Sequence, residues 1–235
     1  MDDDELRRSA ALEQRHWWYA GRRALVRRLM KDAPVGRAID VGPGPGGNAA
    51  VLRDLGWEIT GVELTEVGAR LCAEHGLDVV RGDATRLPVA DASVDLVMST
   101  DVWEHIDDHE TVASESFRVL RPGGRLLVAV PAGMEMWSGH DVALGHVRRY
   151  ERQELVDLVE RHGFVVDEIS SWNVLLRPVA KLRRRKKAGP EDSASEMEHV
   201  AAPVNAGLRA ALAVESRLPV GRRKGLSLVV QAHRP

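Results

Sequence analysis

The sequence predicts an α/β fold, a doubly wound, seven-stranded, mostly parallel sheet with an N-terminal helical cap and a helical insertion before the last strand. Three observations carry this reading. Short apolar runs recur along the chain and alternate with amphipathic helical stretches, the pattern of a parallel sheet covered on both faces. The first of these runs ends in a glycine-rich loop, as a strand does before it turns into a helix. The 235 residues are 44% hydrophobic, enough for one large core, since single domains of this class run to about 250 residues.

Taken in order, residues 5–19 and 21–32 read as two helices, the second with Leu25, Val26 and Leu29 on one face and arginines opposite. They form a cap over residues 1–33, and the main domain occupies 34–235. Strands follow at 37–41, 57–63, 78–81, 94–99 and 125–130. Helices intervene at 48–55, at 66–75 before the stop residue Gly76, and at 108–120. A helix at 151–162 ends at Gly163 and leads into a strand at 164–169, and a last strand spans 226–232. Between these two strands, helices near 174–183 and 203–216 flank a charged segment, about 183–200, with little apolar surface to offset ordering entropy, so mobility is expected there.

Thirty-three basic residues nearly cancel thirty-five acidic ones, so no global field draws the protein to nucleic acid or to an anionic membrane. The run Arg183-Arg184-Arg185-Lys186-Lys187 lacks interleaved aromatics and reads as a solvated segment. A lone cysteine, Cys72, excludes an internal disulfide framework. The acidic opening Met1-Asp2-Asp3-Asp4-Glu5 is unlike a secretory signal, and no apolar run nears the roughly 18 residues of a membrane span, so a cytoplasmic enzyme is expected. The oligomeric state is left open.

The sharpest local signal is Asp40-Val41-Gly42-Pro43-Gly44-Pro45-Gly46-Gly47-Asn48 at the carboxyl end of the first strand. Glycines permit close approach of a ligand to the backbone, and the following helix offers free N–H groups, so a nucleotide-like molecule is expected there. Gly42, Gly44 and Gly47, with Glu63 some 20 residues on, also fit a dinucleotide fingerprint, which keeps a nicotinamide-dependent oxidoreductase in view.

The next segments separate the two. Gly82-Asp83-Ala84 follows the third strand, and Arg121-Pro122-Gly123-Gly124 precedes the fifth. With the glycine loop and Glu63, these elements resemble, in order from residue 37 to 131, the class I S-adenosylmethionine-dependent methyltransferases of small-molecule type. The resemblance implies their Rossmann-like fold, S-adenosylmethionine as cofactor, and methyl transfer to an acceptor that is a small molecule or lipid-like. It also implies that Asp40, Gly42, Gly44 and Gly46 lie along the methionine and ribose part of the methyl donor. Glu63 would accept hydrogen bonds from both ribose hydroxyls, Leu64 pack on the adenine face, Asp83 take the adenine amino group, and the Ala84 N–H the adjacent ring nitrogen. Asp83 has a second reading, as a turn-former capping its own loop. A protein that keeps this fold without catalysis is a further alternative.

On the acceptor side, Ser99-Thr100-Asp101-Val102-Trp103-Glu104-His105 resembles the segment that borders the methyl group in these enzymes. Ser99 or its neighbours would meet the methyl donor's amino-acid part through backbone carbonyls, and Trp103, Glu104 and His105 would face the acceptor or pack beneath it. The stretch from His146 to Leu155 resembles the acceptor loop of ubiquinone-type and natural-product O- and N-methyltransferases. Trp137, Arg148 and Tyr150 are substrate-binding candidates there, while His105, His146 and His140 are candidate bases for a hydroxyl or ammonium acceptor. His140, Asp141 and His146 invite a metal reading, but spacing fixes no further ligand and no metal is expected. Trp17 and Trp18 point about 100° apart on a helix, so one is expected to enter the core while the other, or Tyr19, closes over the pocket; Trp18 and Tyr19 are the substrate-binding candidates, with core packing of both indoles as the competing account.

Overall fold

A computed structural model describes residues 3–186 and 200–235. One sheet organises them, with strands β1 (Arg37–Val41), β2 (Glu58–Glu63), β3 (Asp78–Arg81), β4 (Val94–Thr100), β5 (Leu120–Pro131), β6 (Val165–Trp172) and β7 (Ser227–His233). The order across the sheet is β3-β2-β1-β4-β5-β7-β6. All neighbours are parallel except β7, which runs antiparallel to both β5 and β6. Strand order reverses between β1 and β4, the crevice where open α/β sheets bind ligands at their carboxyl ends.

Alternate residues along each strand face opposite sides, which divides the core in two. Ile39, Val41, Val97, Val128 and Val130 join Leu155, Leu158 and Val159 of α7 (Arg152–Arg161) and Val112 of α5 (His109–Val119) on one face. Ala38, Leu96, Met98, Leu127 and Ala129 join Leu25, Val26 and Met30 of α2 (Trp17–Met30) and Leu52 of α3 (Gly47–Asp54) on the other. Cys72 of α4 (Glu66–Glu74) and Leu212 of α9 (Ala202–Glu215) complete the second face. Burying a leucine or methionine side chain contributes about 1.5–3 kcal/mol, so either face alone is a large stabilising term.

Several boundaries differ from the sequence reading. The cap breaks at His16, not at Ala20: α1 covers Asp3–Glu13, and α2 begins at Trp17 with His16 accepting the Trp18 N–H at 3.3 Å. Gly21 lies inside α2 for a packing reason, since a Cβ there would stand 2.4 Å from Leu212 Cδ1 of α9. Strand β5 starts at Leu120 because Leu120 pairs with Val94 before the chain bulges through residues 121–124 and resumes at Arg125 opposite Leu96. Strand β6 extends to Trp172, carried by its ladder with β7.

A short helix absent from the expectation, α6 (Gly139–Leu144), is set by a Ser138/Asp141 capping box and stopped by left-handed Gly145. Single 3-10 turns occupy Trp103–His105 and Met134–Met136. Helix α8 (Arg177–Lys186) takes in the start of the basic run, whereas most of the charged segment expected to be mobile, from residue 187 to 199, lies outside the described residues. Among the described residues no helix is long and apolar enough to cross a membrane.

Candidate active site

The site is a cavity of about 300 Å³ over the carboxyl ends of β1, β4 and β5, roofed by the N-terminal helices and by α8 and α9. Its floor is the loop after β1. The Gly42 N–H donates to Val62 O at 2.9 Å and the Gly46 N–H to Pro43 O at 2.9 Å, which ties the loop to β2 and closes it on itself. Gly44 has a φ of 53° and an outward face that no atom approaches within 4 Å, so it is open to a ligand. Gly42, Pro43, Gly44, Pro45 and Asn48 line the cavity. Gly46 does not: its left-handed backbone abuts Leu77 and Cys72, so this glycine is required by packing.

Carboxylates surround the loop. Asp40 is buried with neither oxygen partnered, and its carboxyl is held well above the usual range by burial and then by the charges of Glu63 and Glu13. Glu63 accepts from the Gly44 N–H at 3.3 Å and from the Thr65 N–H and hydroxyl at 3.0 Å each. Gly82 N donates to Glu63 O at 3.0 Å, which sets Asp83 and Ala84 at the neighbouring strand tip. Asp83 Oδ1 accepts from the Thr85 N–H and hydroxyl at 2.8 Å, so the turn-forming reading holds for one of its two oxygens. Leu64 is 61% exposed beside them. Ser99 is buried and donates to Val41 O at 3.3 Å, and its neighbours Thr100 and Asp101 reach the cavity instead.

The cap adds residues that local sequence patterns did not single out. Glu13 of α1 accepts the Gly47 N–H at 2.9 Å, at the start of α3, and its carboxyl is raised by burial. Arg22 is 2% exposed, donates through Nη2 to both Asp101 oxygens at 2.8 Å and to the Ser227 hydroxyl at 3.3 Å, and stacks on Trp172 at 4.5 Å and Trp18 at 5.3 Å. Asp101 itself sits at a φ of 58°, backbone strain of the kind that gathers at functional sites. Trp17, Trp18 and Tyr19 all line the cavity, so the first turn of α2 presents both indoles to it, with Trp18 edge-on to Trp172 at 4.8 Å.

The other half of the cavity gathers around Glu104, His105, His140 and His146, all in its wall. Glu104 is 0% exposed, neither oxygen has a hydrogen-bond partner, and burial, then Asp101, raises its carboxyl well above the usual range. His105 Nδ1 faces Gly145 O at 3.3 Å; burial and the neighbouring His146 press its pKa down to about 3 and keep it neutral. His146 Nδ1 lies 2.9 Å from Asp141 Oδ1, which also accepts from Arg149 Nε at 2.7 Å. Burial would raise Asp141, but the hydrogen bonds and charges of His146 and Arg149 outweigh it and hold the carboxyl below the usual range.

Four expected substrate-binding residues lie outside the cavity. Trp103 is wholly buried in the core beneath the site, the second of its two expected placements, and does not line the cavity as a substrate-binding residue would. Tyr150 is buried too, its hydroxyl against His109 Nδ1 at 2.9 Å and Trp103 O at 3.3 Å. Arg148 donates to Ile106 O at 2.8 Å and Asp107 O at 2.9 Å, and the Val147 N–H to Glu104 O at 2.8 Å. These bonds dock the 145–150 loop on the 103–107 segment and so place His146 opposite Glu104. Trp137 is half-buried and does not line the cavity.

Residues 39–128 match the family model described as a methyltransferase domain. The chain is 32% identical over 161 residues, 67% of its own length, to a probable S-adenosylmethionine-dependent methyltransferase of Mycolicibacterium smegmatis, of which it spans 63%. It spans 46% of an uncharacterized methyltransferase of a Mycobacterium species at 40% identity, covering 48% of its own length. Among solved structures it superposes on a possible histamine N-methyltransferase from Thermotoga maritima with a TM-score of 0.67 at 23% identity, covering 99% of this chain and 95% of that one. The cyclase SpnF gives a TM-score of 0.63 at 23% identity, with 93% and 82% covered, so the shared architecture does not by itself dictate the reaction. The glycine loop at the sheet's switch point, the strand order and the match over residues 39–128 together show a methyltransferase domain, similar to that of S-adenosylmethionine-dependent methyltransferases.

Proposed function

We propose that this protein transfers a methyl group from S-adenosylmethionine to an oxygen or nitrogen of a small, largely apolar acceptor. The observation that carries the proposal is continuity: one cavity runs from the Gly42–Pro45 backbone to His105, His140 and His146. The residues present fit the cofactor. Gly44 leaves room for close approach, and Glu63, an acceptor-only group when ionised, stands at the adjacent strand tip where ribose hydroxyls would lie. Asp83 and the exposed Leu64 would frame the adenine, while Asn48, Thr100 and Asp101 border the remainder.

When bound, the cofactor supplies an electrophilic methyl group on a sulfonium. The chain's own residues orient the acceptor, exclude water and manage one proton. The roof of Leu176, Val179, Ala180, Val204 and Leu208 provides an apolar wall for the acceptor's body and a dry setting for charge neutralisation. Orientation of this kind can supply several kcal/mol of the barrier. Asp141 fixes the His146 ring through Nδ1 and leaves Nε2 turned toward Glu104 at 4.0 Å. His146 is therefore the best-oriented of the three candidate bases, His105 its neutral neighbour, and His140 the third imidazole in the wall. No membrane-spanning helix occurs among the described residues, consistent with an acceptor met in water or at a membrane surface.

A panel of phenols, amines, carboxylates and lipid-linked hydroxyls, assayed for release of S-adenosylhomocysteine, tests the reading. Turnover restricted to apolar phenols, alcohols or amines is expected. Binding of a nicotinamide dinucleotide in place of S-adenosylhomocysteine would overturn it.

A further inference from the structure

The acceptor half of the cavity holds more ligand atoms than proton transfer uses. Glu104 is fully buried with neither oxygen hydrogen-bonded, and a carboxyl in that position either keeps its proton or meets a cation. The nearby arginines direct their hydrogen bonds elsewhere, Arg22 to Asp101 and Arg149 to Asp141. What does converge on Glu104 is a pair of imidazoles: one ligand atom from each of Glu104, His105 and His146 lies within 4.8 Å of the others.

Both rings are held from behind. Asp141 lies on Nδ1 of His146 at 2.9 Å and the Gly145 carbonyl on Nδ1 of His105 at 3.3 Å, so each ring turns Nε2 to the centre. A carboxylate or carbonyl bracing the far nitrogen is the arrangement that orients metal-ligating histidines. Asp141 is itself fixed by Arg149 Nε at 2.7 Å and the Ser138 N–H at 2.9 Å.

We propose that Glu104, His105 and His146 form a binding site for one divalent transition-metal ion, at the acceptor end of the cavity. Two imidazoles and one carboxylate suit Zn²⁺, Co²⁺ or Fe²⁺, whereas Mg²⁺ and Ca²⁺ favour oxygen ligands throughout. Bonds of about 2.0–2.1 Å in a tetrahedral site put ligand atoms roughly 3.3 Å apart, so the three side chains close by about an ångström on binding. Three protein ligands leave a position open toward the cavity. An acceptor hydroxyl taking that position would lose its proton more readily. That role rests on the methyl-transfer reading; the metal site does not.

The full chain, stripped with chelator, is titrated with Co²⁺ and followed by visible absorption, then competed with Zn²⁺; S-adenosylhomocysteine binding is measured on the same preparation by calorimetry. One equivalent of Co²⁺ with bands of a four- or five-coordinate site, displaced by Zn²⁺, is expected. His146→Ala, His105→Ala and the near-isosteric Glu104→Gln should each weaken Zn²⁺ at least 100-fold, Asp141→Asn about 10- to 100-fold. His233→Ala, at a surface imidazole paired with Asp167, should leave it unchanged. Absence of Co²⁺ bands in the parent protein overturns the site, as does parental Zn²⁺ affinity in His105→Ala and His146→Ala proteins that circular dichroism shows to be folded. Failure of metal with S-adenosylhomocysteine bound sinks this site alone, and the converse sinks the methyl-transfer reading alone.

Discussion

The two ends of the cavity are made in different ways. The end proposed for the methyl donor is backbone and strand tips: the loop after β1 supplies Gly42 to Pro45, the last residue of β2 is Glu63, and the loop after β3 supplies Asp83. The end proposed for the acceptor is side chains brought from far apart, with Glu104 and His105 after β4, His140 and His146 around α6, and the apolar roof from α8 and α9. A site made of backbone tolerates little sequence change and serves one ligand, while a site made of side chains on added helices can be altered without disturbing the sheet. The architecture therefore separates a fixed ligand from a variable one.

Variants that should affect one end alone test this separation. The largest effect expected is on turnover in His146→Ala, a loss of about 10²- to 10⁴-fold once an acceptor is found, with S-adenosylhomocysteine affinity within about twofold of the parent by calorimetry. A comparable loss of affinity would merge the two ends. Next, Glu63→Ala should weaken S-adenosylhomocysteine by about 100-fold, since charged hydrogen bonds contribute about 1.5–3 kcal/mol each. Equal damage from Glu63→Ala and His146→Ala in that same titration would break the division.

The Arg22–Asp101 pair joins the two ends, and Arg22→Ala should cost about 2 kcal/mol in urea unfolding. This is less than the 3–5 kcal/mol of a wholly buried pair because the Asp101 side chain keeps 35% exposure. The smallest effect concerns Asp40. Its carboxyl is raised above the ordinary 3.8, so the folded state holds the proton more tightly than the unfolded chain. The stability this gives is complete below the ordinary value and is lost as pH rises through the folded one. At neutral pH Asp40→Asn should then stabilise the ligand-free protein by about 1 kcal/mol, a gain that melting curves should show shrinking as pH falls toward 4.

The same contrast explains what the sequence disclosed. Every strand was legible because a short cluster of apolar residues marks it locally, and the glycine loop because a turn at a strand end must be written in consecutive residues. Arg22 and Asp101 carry no joint local pattern, since only the packing of α2 against the sheet brings them to 2.8 Å. A carboxylate at the end of β4, parallel to those at β1 and β2, was the one available hint of Asp101. Trp103 and Trp17 look equally apolar as letters, yet the first is sealed in the core and the second lines the cavity. Helix α6 spans only six residues, too short for a 3.6-residue period to emerge, and its capping box was the signal that went unread.

Strand β7 follows β6 in the chain but wedges between β5 and β6, pairing with residues roughly a hundred positions upstream. Its first residue, Ser227, also meets Arg22 at the cavity wall. During synthesis the sheet has a gap until this strand emerges, and β6 has no neighbour to pair with. Completion of the sheet thus requires a long-range pairing, and the edge of β5 stays open until β7 arrives.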